Sequence, residues 1–95
     1  RLAATVTTLG RHTDAAAQSA NYAAIAWDAS SKGEQTVFAA VTRNGGHSWS
    51  APRALSQSVN SSKYPRIVPF EDRFLVFWSE YPEEGLPLLK MEWLQ

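Results

Sequence analysis

Cysteine is absent from this sequence, which excludes disulfides, zinc–thiolate sites and thiol chemistry. Net charge is absent too, because nine basic side chains offset nine acidic ones. A chain with no basic excess lacks the electrostatic footprint that nucleic acid or an anionic membrane selects. No apolar run approaches the roughly 18 residues of a membrane-spanning helix. An HExxH helix, a P-loop, a dinucleotide-binding glycine motif and a Cys/His metal pattern are all missing. No metal and no cofactor are therefore expected. Its 95 residues bound it to one domain with a modest core. It begins at Arg1 rather than Met, which predicts an upstream stretch removed by processing or proteolysis.

Aromatic residues, by contrast, are plentiful, with four tryptophans, and they repeat. Trp78 placed over Trp27, an offset of 51, sets Arg73–Ser79 over Tyr22–Asp28 without a gap. The same offset sets Leu88–Met91 over Val37–Ala40, and the loop Glu80–Gly85 over Ala29–Glu34. A period near 50 residues is that of β-propeller blades, each a four-stranded antiparallel sheet. Tyr22–Asp28 and Arg73–Ser79 are apolar at successive positions, as strands covered on both faces are. Ala15–Ala17 favours helix on propensity, yet the repeat sets it over Arg66–Val68 as a strand. The expected strands are 14–19, 21–28, 35–42 and 49–56, then 64–69, 73–79 and 86–93. Ala4–Leu9, with Val6 and several threonines, reads as a further strand of the fourth type. The fold class expected is all-β: two blades, 11–57 and 58–95, the second lacking its last strand, with residues 1–10 completing a neighbouring blade.

Thr42-Arg43-Asn44-Gly45-Gly46-His47-Ser48-Trp49 resembles the Asp-box (BNR repeat) of sialidase-like β-propellers, Ser/Thr-x-Asp-x-Gly-x-Ser/Thr-Trp. Thr42, Gly46, Ser48 and Trp49 fit directly, and Asn44 stands where Asp is usual. The physics of a tight hairpin explains these types. A short Asx side chain accepts hydrogen bonds from turn N–H groups. The glycines tolerate positive φ, and the indole can plug the hairpin from below. Asn keeps an acceptor oxygen but not the charge, so a slightly weaker turn is expected. In this family the box is a folding element away from the active site, so these five residues are expected to be structural. His47, at a variable box position, is expected to be a solvated turn residue.

The box is a turn between the third and fourth strands of a blade, and the resemblance to sialidases, whose ligands bind at the opposite face, implies that the candidate ligand face lies opposite the box. The expected loops there are Gly10–Asp14, Asp28–Glu34, Gln57–Tyr64 and Glu80–Gly85. They carry Arg11, His12, Asp14, Asp28, Lys63, Tyr64, Glu80 and Tyr81. Tyr64-Pro65-Arg66-Ile67-Val68-Pro69 loosely resembles the segment bearing the first arginine of the sialidase carboxylate-binding triad, with Pro65 and Val68 as departures. An arginine there could grip a carboxylate bidentately; the alternative is an ordinary polar strand residue. Arg66, Tyr64, Asp14 and Arg11 are the candidate ligand-binding residues. No nucleophile–base pair can be assigned, so no catalytic residue is named. The expected function is a non-catalytic propeller module that binds or scaffolds, taking a glycan or small carboxylate. The alternative is a fragment or small relative of a sialidase-like glycosidase. Two blades cannot close a ring, which predicts self-association, with three chains forming six blades, or union with other blades. Asn60-Ser61-Ser62 fits a glycosylation sequon, and a secreted or periplasmic setting is favoured.

Overall fold

The computed structural model describes residues 10–31, 33–57 and 59–95. The strand expected at Ala4–Leu9 lies outside the described residues. The fold is all-β. In chain order the strands are β1 (Gly10–Ala17), β2 (Ala23–Ser31), β3 (Glu34–Thr42), β4 (Arg53–Ala54), β5 (Ser61–Phe70), β6 (Arg73–Tyr81) and β7 (Leu88–Leu94). They form an antiparallel sheet in the order β1-β2-β3-β4 and a second in the order β5-β6-β7.

Tertiary pairing overrides helix propensity at the alanines of β1. Ala15, Ala16 and Ala17 pair with Ile25, Ala24 and Ala23, so the neighbouring strand satisfies their backbone groups. The expected loop Gly10–Asp14 is strand instead, because Gly10 and Thr13 already pair with Ala29 and Trp27. The expected strand 49–56 contracts to Arg53–Ala54. Pro52 has no N–H to donate, and side chains take over the ends of the ladder. Ser50 donates its N–H to the Val41 carbonyl (2.8 Å) while its Oγ accepts from the Val41 N–H (2.9 Å). At the other end, Leu55 donates to the Val37 carbonyl (2.8 Å) and Ser56 Oγ accepts from the Val37 N–H (2.9 Å).

The repeat is present, with one correction. Ala26 pairs with Asp14 and Ala39, whereas Phe77, 51 residues on, pairs with Arg66 and Met91. The flanking strands are therefore offset by 52, and Arg66 corresponds to Asp14 rather than to Ala15. Counted between equivalent paired positions, the path from β5 to β6 is one residue shorter than that from β1 to β2, and the path from β6 to β7 one residue longer than that from β2 to β3, which a gap-free comparison conceals. Both first strands carry an irregularity near their start, between Gly10 and Thr13 and between Lys63 and Arg66, one residue apart in the equivalent numbering. Such bulges re-aim side chains at sheet rims.

The two sheets pack face to face. Ala24, Ala26, Val37, Ala39 and Val41 of the first receive Ile67, Phe74, Val76, Trp78 and Leu94 of the second. Small residues on one face make room for large ones on the other, which sustains close packing. The opposite face of the first sheet gathers Trp27, Ala29 and Ala40 with Ile25, Phe38 and Trp49. Strand β2 is thus covered on both faces, as its apolar run predicts. Strand β6 is not. Phe74, Val76, Trp78 and Glu80 are buried, while Leu75, Phe77 and Ser79 between them are only partly so. No second sheet lies against its outer face among the described residues.

Three side chains, those of Thr42, Asn44 and Ser48, close the turn after β3. Thr42 Oγ1 accepts from the Gly46 N–H (2.9 Å) and donates to Asn44 Oδ1 (3.0 Å). Asn44 Oδ1 also accepts from the Ser48 N–H (3.0 Å), and Asn44 Nδ2 donates to Ser48 Oγ (2.8 Å). Gly45, at φ 71°, donates to the Asn21 carbonyl and ties this turn to the β1–β2 turn. Asn44→Asp is expected to raise stability by roughly 0.5–1 kcal/mol, because a charged acceptor strengthens the Ser48 and Thr42 contacts. Asn44→Ala should lower it by about 1 kcal/mol. Denaturant midpoints of the two variants against wild type check both signs.

Candidate functional site

The bulged ends of β1 and β5 meet the C-terminal ends of β2 and β6, and a polar cluster forms there around Asp28. Its side chain is fully buried. A carboxylate in that position is costly unless it is hydrogen-bonded on all sides. Asp28 Oδ1 accepts from Gln35 Nε2 (2.9 Å). Asp28 Oδ2 accepts from the Tyr64 N–H (2.9 Å) and meets His12 Nδ1 (2.9 Å). Burial pushes the Asp28 carboxyl up, but the hydrogen bonds from Gln35, Tyr64 and His12, together with the charge of His12, outweigh it. The result lies below the ordinary carboxylate value.

Tyr64 sits at φ 62°, the left-handed region, where a bulky side chain is strained. Its bond to Asp28 helps hold it there. The consequence is a run of rings along the rim. His12 packs on Tyr64 at 4.4 Å, and Tyr64 meets Tyr81 edge-on at 6.1 Å. Lys63 Nζ stands 5.8 Å from the Tyr81 ring centre. Both tyrosines are exposed, and the His12 side chain is 42% exposed. Beside Tyr81 lies a concavity of about 300 Å³ lined by Glu34, Val59, Asn60, Ser61, Tyr81 and Glu83. Its polar rim is organised: Ser61 Oγ donates to Glu34 Oε2 (3.2 Å), and Asn60 Nδ2 donates to Glu80 Oε2 (3.1 Å). The sequon asparagine is therefore engaged with Glu80.

The four candidate ligand residues are distributed unevenly. Tyr64 belongs to the cluster. The Asp14 carboxylate accepts from the Ile67 N–H (3.0 Å) and joins β1 to β5. Arg66 is exposed and pairs opposite Phe77, so it projects from the outer face of the second sheet rather than toward Tyr64. The Arg11 side chain lies outside the described residues. His12, Asp28, Lys63 and Tyr81 fall in the loops expected to form the ligand face, but their mutual contacts had no sequence signature. Gln35 gave no signal at all. For Asp28 there was one: a carboxylate closing an apolar strand needs partners. Among the described residues, no group of three or more His, Asp or Glu is placed to hold a metal, and no helix is long and apolar enough to cross a membrane.

Comparisons of the chain with protein-family models, curated proteins and solved structures return no match.

Proposed function

We propose that this chain is a non-catalytic binding module of the sialidase-like, Asp-box propeller type, and that it takes a carbohydrate at the rim formed by His12, Tyr64 and Tyr81. The carrying observation is the pair of exposed tyrosine rings set by a fully buried, hydrogen-bonded Asp28. Rings offer apolar area with little rotamer entropy to lose, and sugars present apolar faces between hydroxyl groups. The neighbouring Ser61, Asn60 and Glu34 supply donors and acceptors for those hydroxyls. Lys63 adds a cationic donor suited to a sugar carboxylate. The hydrogen-bonded turn from Thr42 to Ser48 supports the Asp-box reading, since its hydrogen bonds are those the motif's residue types require.

Calorimetric titration tests this with N-acetylneuraminic acid, glucuronic acid and glucose. At least one sugar is expected to bind, with Tyr81→Ala and Tyr64→Ala each weakening it about tenfold or more. Arg66→Ala should leave affinity unchanged, because Arg66 lies on another face. Absence of binding by all three sugars, or equal affinity in the tyrosine variants, rejects the assignment. Turnover of a fluorogenic sialoside would replace it with the glycosidase alternative.

A further inference from the structure

Two polar groups of β6 are buried with fewer partners than burial demands, and they line the same cleft. Trp78 is 5% exposed, and its Nε1–H is buried with no acceptor among the described residues. Glu80 is 7% exposed. Its carboxylate takes one side-chain hydrogen bond, from Asn60 Nδ2 to Oε2 (3.1 Å), and enters no ion pair among the described residues. A buried indole N–H without an acceptor, or a buried carboxylate with one donor, costs free energy until something else completes it. The two residues are i and i+2 on one strand, so both side chains stand on the face that meets the first sheet. That face borders a cleft of about 330 Å³. Trp78, Glu80, Lys90 and Glu92 of the second sheet line one side, and Leu55 and Ser56, just after β4, line the other. Ser56 is buried too; its Oγ accepts from the Val37 N–H and keeps an O–H to donate. Arg53 of β4 reaches Glu92 of β7 at 3.8 Å, which joins the two sides and matches the Glu92 charge.

We infer that this cleft binds a small neutral polyhydroxy compound, a single sugar ring or a polyol of that size. The chemistry follows from the two incomplete groups. The indole can only donate and the carboxylate can only accept, and hydroxyl groups do both, accepting from Trp78 and donating to Glu80. The two side chains leave the strand roughly 7 Å apart, so a compound with several hydroxyls reaches both. Glu80 disfavours an anion and Lys90 a cation, which leaves a neutral ligand. Ser56 supplies a further donor, and Leu55 supplies apolar surface for the C–H groups of a ring. The volume stands at the lower end of the range for small-molecule sites, which suits one ring rather than a chain of them. The cleft is separate from the rim of His12, Tyr64 and Tyr81, with Asn60 between them through its bond to Glu80. The inference does not depend on the sugar-binding reading of that rim.

Heteronuclear NMR of the whole chain is the test, because each of the four tryptophans gives its own indole N–H signal. The Trp78 signal is the one lost in Trp78→Phe, which removes the donor and keeps most of the shape. Titration with glucose and with myo-inositol, each to on the order of 50 mM, is expected to move that signal to saturation with at least one of them. Glu80→Gln, followed by the Trp78 indole, and Trp78→Phe, followed by the Glu80 backbone amide, should each weaken binding about tenfold. Arg66→Ala, on the outer face, should leave it unchanged. A Trp78 signal that stays in place through both titrations overturns the inference and leaves a trapped water as the partner of the indole. Undiminished affinity in Glu80→Gln overturns it as well. Shifts confined to Tyr64 and Tyr81 would support the rim reading and overturn this one; shifts confined to Trp78 and Glu80 would support this one and count against the rim. If Trp78→Phe does not fold, sequential assignment identifies the indole signal and Glu80→Gln decides.

Discussion

Replacing Asp28 by alanine is expected to cost about 3–5 kcal/mol of folding stability. The carboxylate is fully buried and holds Gln35, His12 and the Tyr64 N–H together. Its removal strands donors in a site that water reaches poorly on the sheet side. It also releases the bond that helps keep Tyr64 at φ 62°. A domain of this size has on the order of 5–10 kcal/mol in total, so most of its stability would be lost. Asp28→Asn keeps the shape and one acceptor oxygen and should fall between wild type and alanine. Urea titration with an unchanged m-value reads the effect; a loss below about 1 kcal/mol would refute the central role given to this residue. The chemistry at the rim follows the fold here, because the ring of Tyr64 points where it does only while its backbone is held.

The same residue sets an acid limit. A carboxyl whose folded pKa lies below its unfolded value contributes stability that is fully present above the unfolded value, about 3.9 for aspartate. That contribution disappears as pH falls through the depressed folded value. Wild type should therefore lose stability below about pH 4, and Asp28→Asn should show a shallower acid limb. Denaturant midpoints collected across that range compare the two slopes.

The sequence carried the strands well because their signals are local or periodic. Trp27 and Trp78 mark equivalent strands, and the apolar runs around them are strands. What escaped was whatever depends on register between strands. Asp14 and Arg66 are equivalent, but a gap-free comparison places Ala15 opposite Arg66, because one turn shortens as the next connection lengthens. The two-sided apolar run of β6 looks like that of β2, yet only β2 is covered on both faces. Composition records what a strand can bury, not what is there to bury it. The candidate site followed the same division. Tyr64 was legible as an aromatic near a strand start. Its contacts to His12, Asp28 and Tyr81 join three other strands and had no linear pattern.

Phe74→Ala should be comparably severe, at about 3–5 kcal/mol, for an apolar reason. Phe74 is wholly buried between the sheets, opposite Pro69 and Leu94 in its own. Its ring meets the edge of Tyr22 at 5.1 Å. Tyr22 cannot move in to fill the space, because its hydroxyl donates to the Asp72 carbonyl (3.0 Å) and Arg43 covers its ring at 4.4 Å. A site that cannot collapse retains its cavity, and the cost stands near the top of the usual range. Phe77, three residues along the same strand, makes the informative comparison. It faces outward and is only partly buried. For the single chain, Phe77→Ala should cost about 1 kcal/mol or less. Folding stability measured by denaturant would then separate two phenylalanines that the sequence presents alike. Equal folding costs for the two would contradict the one-sided burial of β6 on which that separation depends.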